Sequence, residues 1–70
     1  MNYTEMMNAL EKAVVDRAKT LTQEGEDGYA SGFKTFPEAD ALVTEAIVLR
    51  RTFNSFRSAS IAAGLYAEPD

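Results

Sequence analysis

The stretch TFPEADALVTEAIVLRRTFNSFRSASIAA, residues 35–63, carries the most regular hydrophobic pattern in this chain. Its apolar and small residues recur every three or four positions, which is the spacing of one face of an α-helix rather than of a strand. The repeating positions are Ala39, Leu42, Ala46, Leu49, Phe53, Phe56, Ser60 and Ala63. The pattern therefore predicts a long amphipathic helix over residues 36–63.

Both ends of this helix carry sequence signals. Thr35 and Glu38 have the spacing of a capping box, and Pro37 fits the first helical turn because its missing N–H is not needed there. At the other end, Gly64 suits the left-handed conformation that closes many helices, and Leu65 after it is expected to fold back as in a Schellman ending.

Working back toward the N-terminus, residues 3–23 show a second helical pattern. The apolar positions of this pattern are Tyr3, Met7, Leu10, Val14 and Leu21. We expect Gly25 to stop this helix. Residues 24–35 contain three of the four glycines and no periodicity, so they are interpreted as a glycine-rich loop, with a short C-terminal tail after the second helix.

The predicted fold class is therefore all-α: one helical-hairpin domain over residues 1–70. A helix over residues 36–63 is about 42 Å long, whereas one over residues 3–23 is about 30 Å long, so the longer helix is expected to outreach the shorter. A chain of 70 residues without a disulfide or a bound metal forms only a small hydrophobic core, which rarely stabilises a monomer well. We therefore expect a homodimer with a four-helix arrangement.

The amino-acid composition argues against several classes of function. The chain has no histidine and no cysteine, which argues against enzymatic catalysis, a metal site or a cofactor held by those side chains. The net charge of −4 disfavours nucleic-acid binding. No apolar run approaches the roughly 18–20 residues of a membrane span, and no secretory signal is recognisable, so a cytoplasmic protein is expected.

The second helix offers two sets of candidate contact residues. Aliphatic and polar side chains alternate on one stripe, as at subunit interfaces whose polar members set the register. For oligomer interface or core, the candidates are Val43, Ile47, Leu49, Phe53, Phe56, Ile61 and Leu65.

Arg50, Asn54 and Arg57 share one helical face, and guanidinium groups match the oxygens of phosphate or carboxylate groups. One interpretation is a bound anion. The other is ion pairing with acids of a neighbouring helix, for which the candidates are Glu11, Asp16 and Glu45.

Two segments resemble the helical-hairpin domain of small phage proteins that sequester cyclic nucleotides and so blunt bacterial defence. They are MMNALEK at 6–12 and LRRTFNSFRSA at 49–59. The resemblance implies a compact oligomer with phosphate-contacting lysine and arginine at subunit junctions. In this sequence those cations are Lys12, Arg50 and Arg57.

The leading functional hypothesis is a non-enzymatic, homo-oligomeric interaction module, such as a phage or mobile-element accessory protein that inhibits or modulates a host protein. It rests on small size, unpaired apolar surface and the lack of catalytic side chains. The alternative is a sponge that holds a small phosphorylated ligand, a cyclic nucleotide, at subunit junctions.

Overall fold

The computed structural model describes residues 2–65, and this part of the chain is a hairpin of two antiparallel helices. Helix α1 spans Tyr3–Ser31 and helix α2 spans Phe36–Ala62. No strand occurs within residues 2–65, so the predicted all-α hairpin is the observed fold class. The predicted tail, residues 66–70, lies outside the described residues.

The contact between the helices follows a seven-residue repeat. On α2, four buried residues each lie seven positions apart: Ala39, Ala46, Phe53 and Ser60. They meet a matching stripe on α1 that includes the buried residues Met7, Ala18, Leu21 and Gly25. A repeat of seven keeps one face of each helix toward the other over its whole length, as in coiled coils.

Side-chain size divides the interhelical core into two parts. Toward the open end of the hairpin, Met7 and Phe53 pack with the half-buried Tyr3, Val14 and Ile61. Toward the connecting turn, smaller residues dominate, and Ala18, Leu21 and Ala46 pack with Leu42. The large side chains fill the open half, whereas the small ones let the two backbones approach near the turn.

Helix α1 is eight residues longer than predicted, because Gly25 does not end it. Gly25 is buried inside α1, and a Cβ atom there would lie 2.9 Å from the carbonyl oxygen of Ala39 and 3.3 Å from Val43 Cγ2. The glycine therefore permits close helix packing, which outweighs its helix-propensity cost of about 1 kcal/mol. The expected glycine-rich loop over residues 24–35 is mostly helix.

The actual connection consists of residues 32–35. Gly32 has φ 81°, a left-handed conformation that ends α1, and its N–H donates to the Tyr29 carbonyl at 3.2 Å. The N–H of Lys34 donates to the carbonyl of Gly28 at 2.9 Å, which turns the chain back toward α2. A turn this short places the two helices side by side.

The predicted capping box at the start of α2 is present. The Glu38 carboxylate accepts from the Thr35 N–H at 3.0 Å, and Thr35 Oγ1 accepts from the Glu38 N–H at 3.4 Å. Hydrogen bonds from the backbone and side chain of Thr35 hold the pKa of Glu38 below its usual value, with a smaller contribution from the charge of Lys34.

At its other end α2 closes as a Schellman ending. Gly64 has φ 75°, its N–H donates to the Ile61 carbonyl at 3.0 Å, and the Leu65 N–H donates to the Ser60 carbonyl at 3.0 Å. The Leu65 side chain remains 59% exposed.

The two helices are nearly equal in length, which removes the predicted overhang. They contain 29 and 27 residues, or about 43 and 40 Å. The hairpin measures 47 × 19 × 19 Å, and its radius of gyration is 15.3 Å, against about 11 Å for a compact domain of this length. The open flanks of a two-helix layer, rather than a protruding helix end, therefore expose the apolar surface.

Candidate functional site

The buried stripe of α2 separates two flanks of the hairpin. Ile47 follows the buried Ala46 by one residue and Leu49 follows it by three, so the two side chains fall on opposite sides of the stripe, since each residue turns the helix by about 100°. We refer to the side of Ile47 as the groove face and to the side of Leu49 as the opposite face.

The groove face contains a shallow depression of about 620 Å³ between the two helices. Ala18 and Ala46 lie at its base, because their small side chains leave the flank unfilled. The surrounding side chains are aliphatic, hydroxyl and cationic, and they include Val15, Lys19, Thr22, Ile47 and Arg50. A site of this composition is suited to binding another surface through apolar contact and positive charge.

Six candidate contact residues of α2 lie on the groove face. Each of them follows a buried residue of α2 by one or four positions or precedes one by three, which places all six on one side of the buried stripe. They are Val43, Ile47, Arg50, Asn54, Arg57 and Ile61. Ile47, Arg50 and Asn54 are exposed, whereas Val43, Arg57 and Ile61 are half-buried.

The remaining candidates for interface or core occupy other environments. Phe53 lies in the core at 7% exposure, Leu49 is half-buried and Phe56 is 50% exposed. Leu49 and Phe56 belong to the opposite face. Met6 and Leu10 of α1 flank the stripe on that same side and are 47% and 41% exposed, so this second flank is also apolar.

Of the two lysines of α1, Lys19 lines the groove, whereas Lys12, which is predicted to lie at a subunit junction, does not. Lys12 is exposed and lies seven residues before Lys19, on the same side of α1 but nearer the open end of the hairpin. Lys19 lines the groove with Arg50. The sequence signal for Lys19 was its position next to Ala18, a small residue that lies buried in the contact between the helices.

An aromatic pair lies where the hairpin turns. The rings of Tyr29 and Phe36 meet edge to face, with centroids 5.9 Å apart and planes at 76°. Both remain largely exposed, at 56% and 64%, and Phe33 in the turn is 88% exposed. Tyr29 and Phe33 are therefore not buried against the helix ends. The turn therefore adds apolar surface.

Charge is divided along α2. Its acids all lie in the half nearer the turn, at Glu38, Asp40 and Glu45, and its bases in the other half, at Arg50, Arg51 and Arg57. Within residues 2–65, Arg50 forms no ion pair with the predicted acids Glu11, Asp16 and Glu45. The Nε atom of Arg57 is buried.

Neither a metal site nor a membrane-spanning segment is found within the described residues. Over positions 2–65, no group of three or more acidic side chains is arranged to hold a metal ion. In the same range, neither helix has an apolar segment of the length that crossing a membrane requires. Comparisons of the chain with protein families, with characterised proteins and with solved structures find no match.

Proposed function

We propose that this chain is a non-enzymatic helical interaction module that works as a homo-oligomer. The observation that carries the proposal is the amount of apolar surface left on the hairpin. Within residues 2–65, ten large apolar side chains are each at least 39% exposed. Eight of them lie on the two flanks or at the turn, whereas Val48 lies on the outer surface of α2 and Leu65 follows the end of this helix. Exposed apolar side chains that cluster on a small protein are typical of surfaces that bind other proteins.

The accessible surface supports the same proposal in quantitative terms. A monomeric protein of 7.7 kDa is expected to expose about 4,300 Å². This chain exposes 5168 Å². The excess of roughly 800–900 Å² is close to the area that one partner contributes to a standard protein interface, about 800 Å².

A host protein remains our proposed target for the assembled module, in the manner of a phage or mobile-element accessory protein. A two-flanked hairpin supports this idea because association through one flank leaves the other flank and the aromatic turn available. Phe33, Phe36 and Tyr29 at the turn are suited to anchoring in a partner's pocket, since buried aromatic side chains dominate binding energies at interfaces.

Sedimentation equilibrium over a range of micromolar concentrations tests the proposal. We expect a dimer or larger assembly whose thermal stability rises with protein concentration, because association stabilises the folded state by mass action. A chain that is monomeric throughout this range, yet helical and cooperatively folded, contradicts it.

The second candidate is a sponge for a phosphorylated ligand. The observation that favours it is the presence of Lys19 and Arg50 in one groove, since paired cations match phosphate oxygens. Thermal unfolding in the presence of cyclic di- and trinucleotides tests it, because a ligand of the native state raises the melting temperature. No change at hundredfold molar excess removes this candidate.

A further inference from the structure

We propose that the groove face binds a second copy of the same chain, with the two α2 helices antiparallel about a twofold axis near Ile47. In this dimer, the Asp40 carboxylate of one copy lies against Arg50 and Asn54 of the other. The inference rests on the proposed self-association and goes further, because it names the surface, the orientation and the pairing residues.

The spacing of the groove face is symmetric about Ile47. Asp40 precedes Ile47 by seven residues and Asn54 follows it by seven, so all three lie on one face of α2, with Asp40 and Asn54 each about 10.5 Å from Ile47 along the axis. A twofold axis through Ile47 therefore brings Asp40 of one copy level with Asn54 of the other. This pairing occurs twice in the dimer, as a twofold interface requires.

Charge complementarity favours the antiparallel orientation. At the level of Asn54, the carboxylate of the second copy falls between Arg50 and Arg57, four residues before and three after, or about 6 Å and 4.5 Å along the helix axis. A parallel arrangement would instead put Asp40 beside Asp40 and arginine beside arginine. Like charges in contact across an interface are strongly unfavourable.

Within the described part of the single chain, Asp40 and Arg50 have no ion-pairing partner. Asp40 and Arg50 are exposed, and neither forms an ion pair within residues 2–65. The helix dipole favours cations only in the last turn of a helix, so it does not account for Arg50, which lies twelve residues before the end of α2 at Ala62. In the dimer, the partner's Arg50 gives Asp40 a counterion, and the partner's Asp40 gives Arg50 one.

The centre of this contact is apolar. Ile47 is 46% exposed and lies beside Val15, which is 39% exposed, above the small residues at the base of the groove. Near the axis, the Ile47 side chains of the two copies meet each other and fill the depressions left by Ala18 and Ala46. The contact thus has an apolar centre with charged pairs outside it, which is the usual anatomy of an interface.

The apolar centre is tested by Ile47→Glu, with Val48→Glu as the matched control. Val48 is the next residue and is more exposed, at 55%, but it lies on the outer surface of α2. We expect Ile47→Glu to be monomeric and helical at concentrations where the wild type is a dimer. Val48→Glu is expected to keep the wild-type dissociation constant. Equal effects of the two variants overturn the placement.

Charge exchange tests the orientation. We expect Asp40→Arg to raise the dimer dissociation constant about 100-fold or more, because it places like charges together. Glu45→Arg, the same charge change on the opposite face, is expected to leave it unchanged. A chain with Arg50→Asp and Asn54→Asp is also expected to be monomeric. An equimolar mixture of this double variant with Asp40→Arg is expected to form a 1:1 dimer in native mass spectrometry.

The outcomes separate this inference from the proposal on which it rests. A wild-type dimer that Ile47→Glu and Asp40→Arg leave intact, or a mixture that forms no heterodimer, overturns the groove-face pairing while self-association stands. A monomeric wild type overturns both. A cyclic dinucleotide that raises the melting temperature of the wild type and at the same time dissociates its dimer assigns the groove to a phosphate ligand and overturns the pairing.

Discussion

The phenol of Tyr3 donates a hydrogen bond to Ser60 Oγ at 2.9 Å, joining the first turn of α1 to the last turn of α2. These residues lie 57 positions apart, and Ser60 is only 5% exposed. The contact closes the open end of the hairpin, where no turn connects the helices. It also explains why a serine occupies the fourth position of the buried seven-residue repeat of α2.

Removal of this hydrogen bond is predicted to destabilise the hairpin in a non-additive way. Tyr3→Phe is expected to lower the free energy of unfolding by about 1–2 kcal/mol, because it removes the bond of a buried hydroxyl group. Adding Ser60→Ala is expected to recover part of this loss, since no buried polar group is then left unsatisfied. Urea unfolding at one fixed protein concentration measures both. Strictly additive losses would show that the two groups are not coupled.

Two glycines of α1 are predicted to respond in opposite ways to alanine. Gly25→Ala is expected to destabilise by about 1–3 kcal/mol, because its Cβ atom meets the rigid backbone oxygen of Ala39. At Gly28, the added Cβ atom meets the side chain of Lys34, which can move away. Gly28→Ala is therefore expected to be neutral or to stabilise by up to about 1 kcal/mol through helix propensity.

Thermal and urea unfolding followed by circular dichroism distinguish these outcomes. Gly25→Ala as stable as Gly28→Ala would mean that the helices are not in close contact near the turn. The comparison is internally controlled, since both changes replace glycine by alanine in one helix.

The same glycines show where sequence analysis succeeds and where it does not. The periodicity and capping box of α2 are local, and they predict its start at Phe36 and its end within one residue. The environment of Gly25 is not local, since only the packing of Ala39 against it makes glycine favourable within a helix. A helix stop and a close-packing position therefore look alike in one sequence, and the end of α1 was misplaced.

The sequence predicted which residues of α2 belong to the candidate site, but not which residues of α1 lie opposite them. The three- and four-residue spacing identified the stripe containing Ile47, Arg50 and Asn54. The register of α1 against α2 decides which residues lie opposite, and that register depends on the length of the turn. With the turn misplaced, Lys19 could not be assigned to the groove beside Arg50.

Acid is predicted to weaken the start of α2 through Glu38. Its folded-state pKa lies below the unfolded value, so its contribution to stability is present above that value and is lost as the pH falls through the folded-state pKa. We therefore expect the stability difference between wild type and Glu38→Gln to shrink progressively below about pH 4.5. Glutamine keeps an oxygen acceptor for the cap but does not titrate.

Urea unfolding at several pH values measures this difference, with Glu45→Gln as a control on the same helix away from the cap. A difference between wild type and Glu38→Gln that stays constant down to pH 3 contradicts the assignment.

Two phenylalanines of the hydrophobic pattern of α2 are expected to differ sharply in how much they stabilise the fold. Phe53 is 7% exposed and packs against Met7, whereas Phe56 is 50% exposed on the opposite face. Phe53→Ala is expected to cost about 3–5 kcal/mol by leaving a cavity. The single core of a domain of about 70 residues rarely supplies more than about 3–5 kcal/mol, so this variant should be close to unfolding at 37 °C. Phe56→Ala removes a half-exposed ring and is expected to cost less than about 1.5 kcal/mol.

Unfolding measured for both variants at the same protein concentration tests this ranking. The dimer dissociation constant of Phe56→Ala also tests which face of the hairpin associates. Groove-face association predicts that Phe56→Ala keeps the dimer dissociation constant of the wild type, because the opposite face takes no part in it. A large loss of association in Phe56→Ala, with its helical content intact, would instead assign self-association to the face formed by Leu49 and Phe56. Folding stability and association can thus be separated at two positions three residues apart.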